Sequence, residues 1–215
     1  MAITPFTKSQ LLPQEEKLEV ARHKSELFIG IPKEISYQER RICLTPDAVN
    51  SLTSHGHRVM VESGAGLSSS YTDKEYSDAG AEITSDTKKV LSCPFLLKVE
   101  PLTIEEIEMI NKQAIVISAI QLKTRKAAYF EALKKKKITA LAFEYIKDED
   151  GSYPAVKSLS EIAGTASILI ASELMINNQF GKGLLLGNIT GVPPTDVVIL
   201  GAGTVGEYAA RAALG

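Results

Sequence analysis

Short β-rich runs alternate with helix-forming segments from Leu27 onward, and this alternation narrows the possible folds more than any other feature of the chain. The runs are LFIGIP (27–32), HRVMVES (57–63), PFLLKVE (94–100), AIVISAI (114–120) and ITALAFEYI (138–146). Helical segments fall between them at 46–54, 73–79, 104–111 and 125–136. The helix starts carry recognisable devices: Thr45 stands before Pro46, Thr72 before Asp73, and Thr103 three residues before Glu106. A hydroxyl at the N-cap accepts a bond from a free N–H of the first turn. Proline suits the first helical position, and a glutamate three residues after the cap closes a capping box. Strands alternating with helices predict an α/β fold, a mostly parallel sheet with helices on both faces. AIVISAI and FLLKV are almost continuously apolar, as strands buried from both sides are. Ligands of such sheets sit beyond the carboxyl ends of the strands, which is where site residues are expected.

Residues 1–26 read as a separate helical extension ahead of a main domain over 27–157. After the polar loop KDEDGSYPAV, a segment rich in small residues reads as a connecting helix over 158–180, with Ser158 and Glu161 at capping-box spacing. Residues 181–215 open with a loop punctuated by glycine and proline and run into PTDVVILGAGTVGEYAARAALG. There an apolar run, expected as a strand, meets G-x-G-x-x-G at Gly201, Gly203 and Gly206, with Ala202, Thr204 and Val205 between them and a helical segment following. The first glycine permits the tight turn, the second lets backbone approach a pyrophosphate, and the third lets helix pack on strand. The helix N-terminus offers its unpaired N–H groups to phosphate. The whole is expected to be a Rossmann-like domain followed by the first strand, turn and helix of a second, dinucleotide-binding one. The acidic residue that reads the ribose belongs about 20 positions further on. The sequence ends nine residues after Gly206, so this reading expects a fragment, a proteolytic product or one half of a split subunit.

Composition closes off other classes. The 24 basic and 26 acidic side chains leave a net charge of −2, with no basic excess to bind nucleic acid. The run Lys134 to Lys137 reads as a solvated helix end. Two cysteines far apart and three histidines make neither a disulfide framework nor a metal cluster, so no metal is expected. No apolar run approaches the roughly 18 residues of a membrane span, and the N-terminus does not read as a secretory signal. A cytoplasmic, reducing setting is the simplest expectation.

Taken in order, IGIPKEISYQERRICLTPDAV, HGHRVMVESGAG, YSDAGAEI, LLKVEP, SEIAG and GAGTVGEYAARAALG resemble alanine dehydrogenase and the NAD-binding alpha subunit of pyridine-nucleotide transhydrogenase. The resemblance runs from about Leu27 to Gly215. It implies a substrate-side domain, a connecting helix and an NAD domain, in a protein that self-associates into a homo-oligomer. It also implies oxidative deamination of L-alanine by NAD to pyruvate and ammonium, with an amino or keto acid as substrate. Arg41 matches the arginine that pairs with the substrate carboxylate, a task suited to a permanently charged, bidentate guanidinium. Ser160 matches a serine at the cofactor, although it also fits an N-cap, and Gly201, Gly203 and Gly206 match the phosphate turn.

Two positions depart from the dehydrogenase pattern. Glu100 stands where an ungapped match places the family's carbonyl-binding lysine, and Lys98, two residues earlier on the same strand face, is the candidate to reach in its place. The other reading of Lys98 is a strand-end lysine extending to solvent. Gln121 stands where the family has its catalytic histidine; an amide hydrogen-bonds a carbonyl but does not shuttle protons near neutral pH. Arg41, Lys98 and Gln121 are therefore the candidate catalytic set. Both departures also suit the transhydrogenase branch, which passes hydride between nucleotides and needs no amino-acid site here. A third reading makes the piece a folding or dimerisation domain without activity.

Overall fold

The computed structural model describes residues 26–177, 181–187 and 190–214. The extension expected over 1–26 lies almost wholly outside them. Six strands form one parallel sheet: β1 (Phe28–Ile31), β2 (Arg58–Glu62), β3 (Glu82–Thr84), β4 (Phe95–Leu97), β5 (Ile115–Ser118) and β6 (Thr139–Ala142). Their order is β3-β2-β1-β4-β5-β6, so the chain builds outward to one edge and returns to the centre between β3 and β4. Register pairs Ile29 with both Val59 and Phe95, and Leu96 with Val116. The helices over this stretch are α1 (Pro46–Ser54), α2 (Asp73–Asp78), α3 (Thr87–Leu91), α4 (Ile104–Met109) and α5 (Ala127–Lys136).

Alternation of side chains along the strands splits the core between the two faces. Ile29, Ile31, Val59 and Val61 pack with Val49 and Tyr76 on one side. Met60, Leu96 and Val116 pack with Val90, Leu91 and Ile107 on the other. Gly30, in the central strand, leaves room for α3: a Cβ there would lie 2.5 Å from the carbonyl oxygen of Val90. The caps expected for α1, α2 and α4 are present. Thr45 accepts from Ala48 N–H, and Thr72 with Glu75 and Thr103 with Glu106 form capping boxes.

β3 and α3 were not anticipated, because EIT holds a single large apolar residue, Ile83, and α3 spans barely more than one turn. Asp86 caps α3 by accepting from the N–H groups of Lys88 and Lys89. The last β-rich run is strand only to Ala142, and Phe143–Tyr145 then turns as a short 3-10 segment.

The long helix α6 spans Pro154–Met175 and so begins four residues before the expected position. Proline's fixed φ starts the helix at Pro154. Ser158 is therefore internal, and its hydroxyl donates to Pro154 O instead of capping. The stretch Val197–Leu200, expected as a strand, pairs with no other strand among the described residues, and Val198 and Leu200 stay exposed. An extended segment without a neighbour has no ladder to form. It leads into α7 (Thr204–Leu214), which crosses α6 so closely that a Cβ on Gly164 would lie 2.4 Å from Val205 O.

Candidate active site

Loops at the carboxyl ends of β1, β4, β5 and β6 converge on a chain of polar side chains. Arg41, in the loop before α1, donates through Nε and Nη2 to both carboxylate oxygens of Glu39 at 2.8 and 2.6 Å. Its Nη2 also lies 3.6 Å from Glu100 Oε1. Glu100 in turn faces the Gln121 amide at 3.5 Å, and Gln121 Oε1 accepts from Arg125 Nη2 at 3.1 Å. The structure thus brings Arg41, Glu100 and Gln121 into one linked row. The guanidinium of Arg41 drops the Glu39 carboxyl to about 2. That interaction contributes stability above the ordinary value of 4.5, and the contribution is lost as pH falls through about 2.

Lys98 takes a different place. β4 ends at Leu97, and beyond it the side chains of Lys98 and Glu100 take different partners, Glu34 and Glu106 for the first and Arg41 for the second. The Lys98 side chain is 0% exposed, with Nζ 3.3 Å from Glu34 Oε2 and 3.4 Å from Glu106 Oε1. It does not extend to solvent; it forms the centre of a buried triad at the border of the cleft. Burial raises the Glu34 carboxyl above 4.5, and the charge of Lys98 opposes that rise. Glu106, the capping residue of α4, serves twice: its Oε2 accepts from Thr103 N–H while Oε1 faces Lys98.

Beside this row lies a cleft of about 470 Å³, bordered by Arg41, Cys43, Leu97, Lys98, Phe143 and Ser158 among others. Its walls are chiefly apolar, as the walls of small-molecule sites are. Cys43 is half-hidden there, and burial pushes its thiol up to about 12, so it stays protonated and inert as a nucleophile.

A second hollow, of about 540 Å³, lies between α6 and the glycine turn. It gathers Ser160, Ser167 and Ala171 with Gly201, Gly203, Thr204, Val205 and Gly206. Ser160 is inside α6 and is not an N-cap. Gly201 has φ +119, a conformation side chains disfavour. A Cβ on Gly203 would meet nothing within 4 Å, and one on Gly206 would lie 2.2 Å from Gly201 O. The turn is therefore open where a phosphate would approach and closed where the helix packs. These residues fit a dinucleotide pyrophosphate. Ala202 does not border the hollow.

Sequence reasoning passed over Glu34, Glu39 and Glu144. Glu34 stands within the quoted stretch IGIPKEISYQERRICLTPDAV, yet a lone glutamate gives no hint of partners more than sixty positions away.

Two family models match the chain: "Alanine dehydrogenase/PNT, N-terminal domain" over residues 30–163 and "Alanine dehydrogenase/PNT, C-terminal domain" over 167–215. Alanine dehydrogenase of Methanococcus maripaludis is 40% identical over 190 residues, 88% of this chain and 51% of that protein. The alanine dehydrogenase of Bacillus subtilis is 38% identical over 189 residues, covering 88% and 50%. A solved L-alanine dehydrogenase superposes with a TM-score of 0.82 at 34% identity, covering 87% of this chain and 52% of that one. A transhydrogenase from Sinorhizobium meliloti superposes with a TM-score of 0.73 at 26% identity, covering 87% and 53%. The chain spans about half the length of the curated relatives it matches.

Proposed function

This chain belongs to the alanine dehydrogenase/PNT family, and from that premise we propose that the full-length protein oxidatively deaminates L-alanine with NAD. The carrying observation is the pairing of two sites in one chain: Arg41 on an apolar cleft and an open glycine turn facing Ser160. NAD, held by Gly201 to Gly206 and Ser160, would supply the hydride acceptor. The domain layout follows the same reading, with the substrate side over 27–157, the connecting helix next and the cofactor side from 181 onward.

Within the cleft, Arg41 binds and orients the substrate carboxylate. Glu39 occupies Nε and Nη2, which fixes the plane of the guanidinium. Nη1 makes no hydrogen bond among the described residues and is the nitrogen left for a ligand. Gln121 offers its amide to the carbonyl or imine end, and Glu100 beside it accepts a hydrogen bond from the amino group or a water. Lys98 acts from beneath, holding Glu34 and Glu106 in place. The apolar walls exclude bulk water, which strengthens each of these polar contacts. The protein works in a self-associated, cytoplasmic form on this reading. Among the described residues no helix is long and apolar enough to cross a membrane.

Arg41→Ala in the full-length protein is expected to raise the KM for L-alanine by about 10- to 100-fold while moving kcat less, the loss of one charge-assisted bond of about 1.5–3 kcal/mol. An unchanged KM removes Arg41 from the site. The reading as a whole is checked by steady-state assay in both directions, with L-alanine and NAD and with pyruvate, ammonium and NADH. A second reading is favoured by Glu100 and Gln121, which replace a cation and a titrating group with an anion and an amide. On it the chain is the NAD(H)-binding part of a transhydrogenase, and the same assay yields no alanine turnover.

A further inference from the structure

Two glutamates remote in sequence from the site loops hold those loops in place by the same device. Glu34, after β1, accepts from the N–H groups of Val99 at 2.6 Å and Glu100 at 3.4 Å. Glu144, after β6, accepts from the N–H groups of Ile120 and Gln121, both at 2.8 Å and both on the single oxygen Oε1. Each carboxylate therefore clamps two successive N–H groups of the loop that carries a linked site residue, Glu100 or Gln121. Gln121 needs the clamp more. Its φ is +53, in the left-handed region that residues other than glycine rarely adopt.

We propose that Glu144 is a positioning residue whose Oε1 holds Gln121 in its left-handed conformation and so aims the Gln121 amide between Glu100 and Arg125. The second oxygen of Glu144 supports this division of labour: Oε2 is buried and has no hydrogen-bond partner. The clamp uses one acceptor atom at a set reach, and the negative charge is incidental to it. Glutamine preserves that atom and that reach; aspartate preserves the charge but falls one methylene short. Glu34 is the poorer residue to test, because it also faces Lys98.

The experiment compares Glu144→Gln with Glu144→Asp in the full-length protein. Glu144→Gln is expected to keep most of the parent's turnover of L-alanine. Glu144→Asp is expected to lose on the order of 100-fold in kcat, the cost of displacing a site group by about an ångström, with the KM for NAD unmoved. Amide hydrogen exchange at Ile120 and Gln121 should stay slow in Glu144→Gln and become fast in Glu144→Asp. The reverse order of activities, with aspartate active and glutamine dead, means that the charge itself does the chemistry and overturns the proposal. Exchange left slow in Glu144→Asp overturns it as well, as does fast exchange with full activity. The kinetic readout rests on the proposed deamination, whereas the exchange readout does not. A parent that fails to turn over L-alanine therefore brings down the function alone, and the clamp is still decided by exchange.

Discussion

Replacing Lys98 by methionine should destabilise the folded protein by about 3–5 kcal/mol at neutral pH, because removing one partner of a buried ion pair strands the other charge. Here two carboxylates, Glu34 and Glu106, lose their common cation at 3.3 and 3.4 Å. Methionine fills nearly the same volume, so a cavity contributes little and the loss is electrostatic. Its pH dependence identifies the cause. The Glu34 carboxyl is already raised above 4.5 by burial, and Lys98 opposes that rise together with the N–H groups of Val99 and Glu100. Without Lys98 it rises further. A carboxyl raised in the folded state favours folding below its unfolded value and loses that contribution as pH rises through the folded value. The deficit of Lys98→Met should therefore shrink as pH falls from 7 toward 4.5, where Glu34 takes up a proton and no longer needs a counter-charge. Urea unfolding of parent and variant across that range measures it. A deficit that stays constant, or grows on acidification, contradicts the triad.

Gly30→Val should be the most damaging change in the sheet, with a loss of about 3 kcal/mol or more, at the upper end of what overpacking a core costs. β1 is flanked by β2 and β4 and cannot move aside without breaking one ladder. The added Cβ would lie 2.5 Å from the backbone oxygen of Val90 and 2.9 Å from Leu96 Cδ2. The nearest clash is with backbone of α3, which no change of rotamer relieves. Thermal unfolding reads the effect directly. A melting temperature within a few degrees of the parent's, where about 1 kcal/mol shifts a domain of this size by roughly 2–4 °C, would show that α3 is not seated against β1 as described.

The sheet was legible because its apolar runs alternate with helical segments, three of which open on a threonine cap, Thr45, Thr72 or Thr103. β3 was illegible for a physical reason: an edge strand of three residues buries one face weakly and needs no apolar run. Strand order was equally hidden, since nothing local says that β4 returns to lie beside β1. At the site, residue types with narrow uses stood out. Arginine suits carboxylates, and the glycine turn suits phosphates. Ser160 does face that turn. What chemistry lies around Arg41 depended on glutamates whose partners are brought in by the fold, such as Glu144 beneath Gln121. The same limit applied to Lys98. Its spacing to Glu100 suggested a shared face, but the strand ends at Leu97 and the two side chains part, one into the core and one toward Arg41.

Transfer of the Cα hydrogen of alanine tests the central claim most directly. The full-length protein is given L-alanine deuterated at C2 together with NAD, and the products are read by mass spectrometry and proton NMR. Deuterium should appear on C4 of the reduced nicotinamide, with pyruvate formed in equal amount. Label that never leaves alanine, in a protein that does pass deuterium from C4-labelled NADH to NADP, would contradict the deaminase and leave the transhydrogenase in its place.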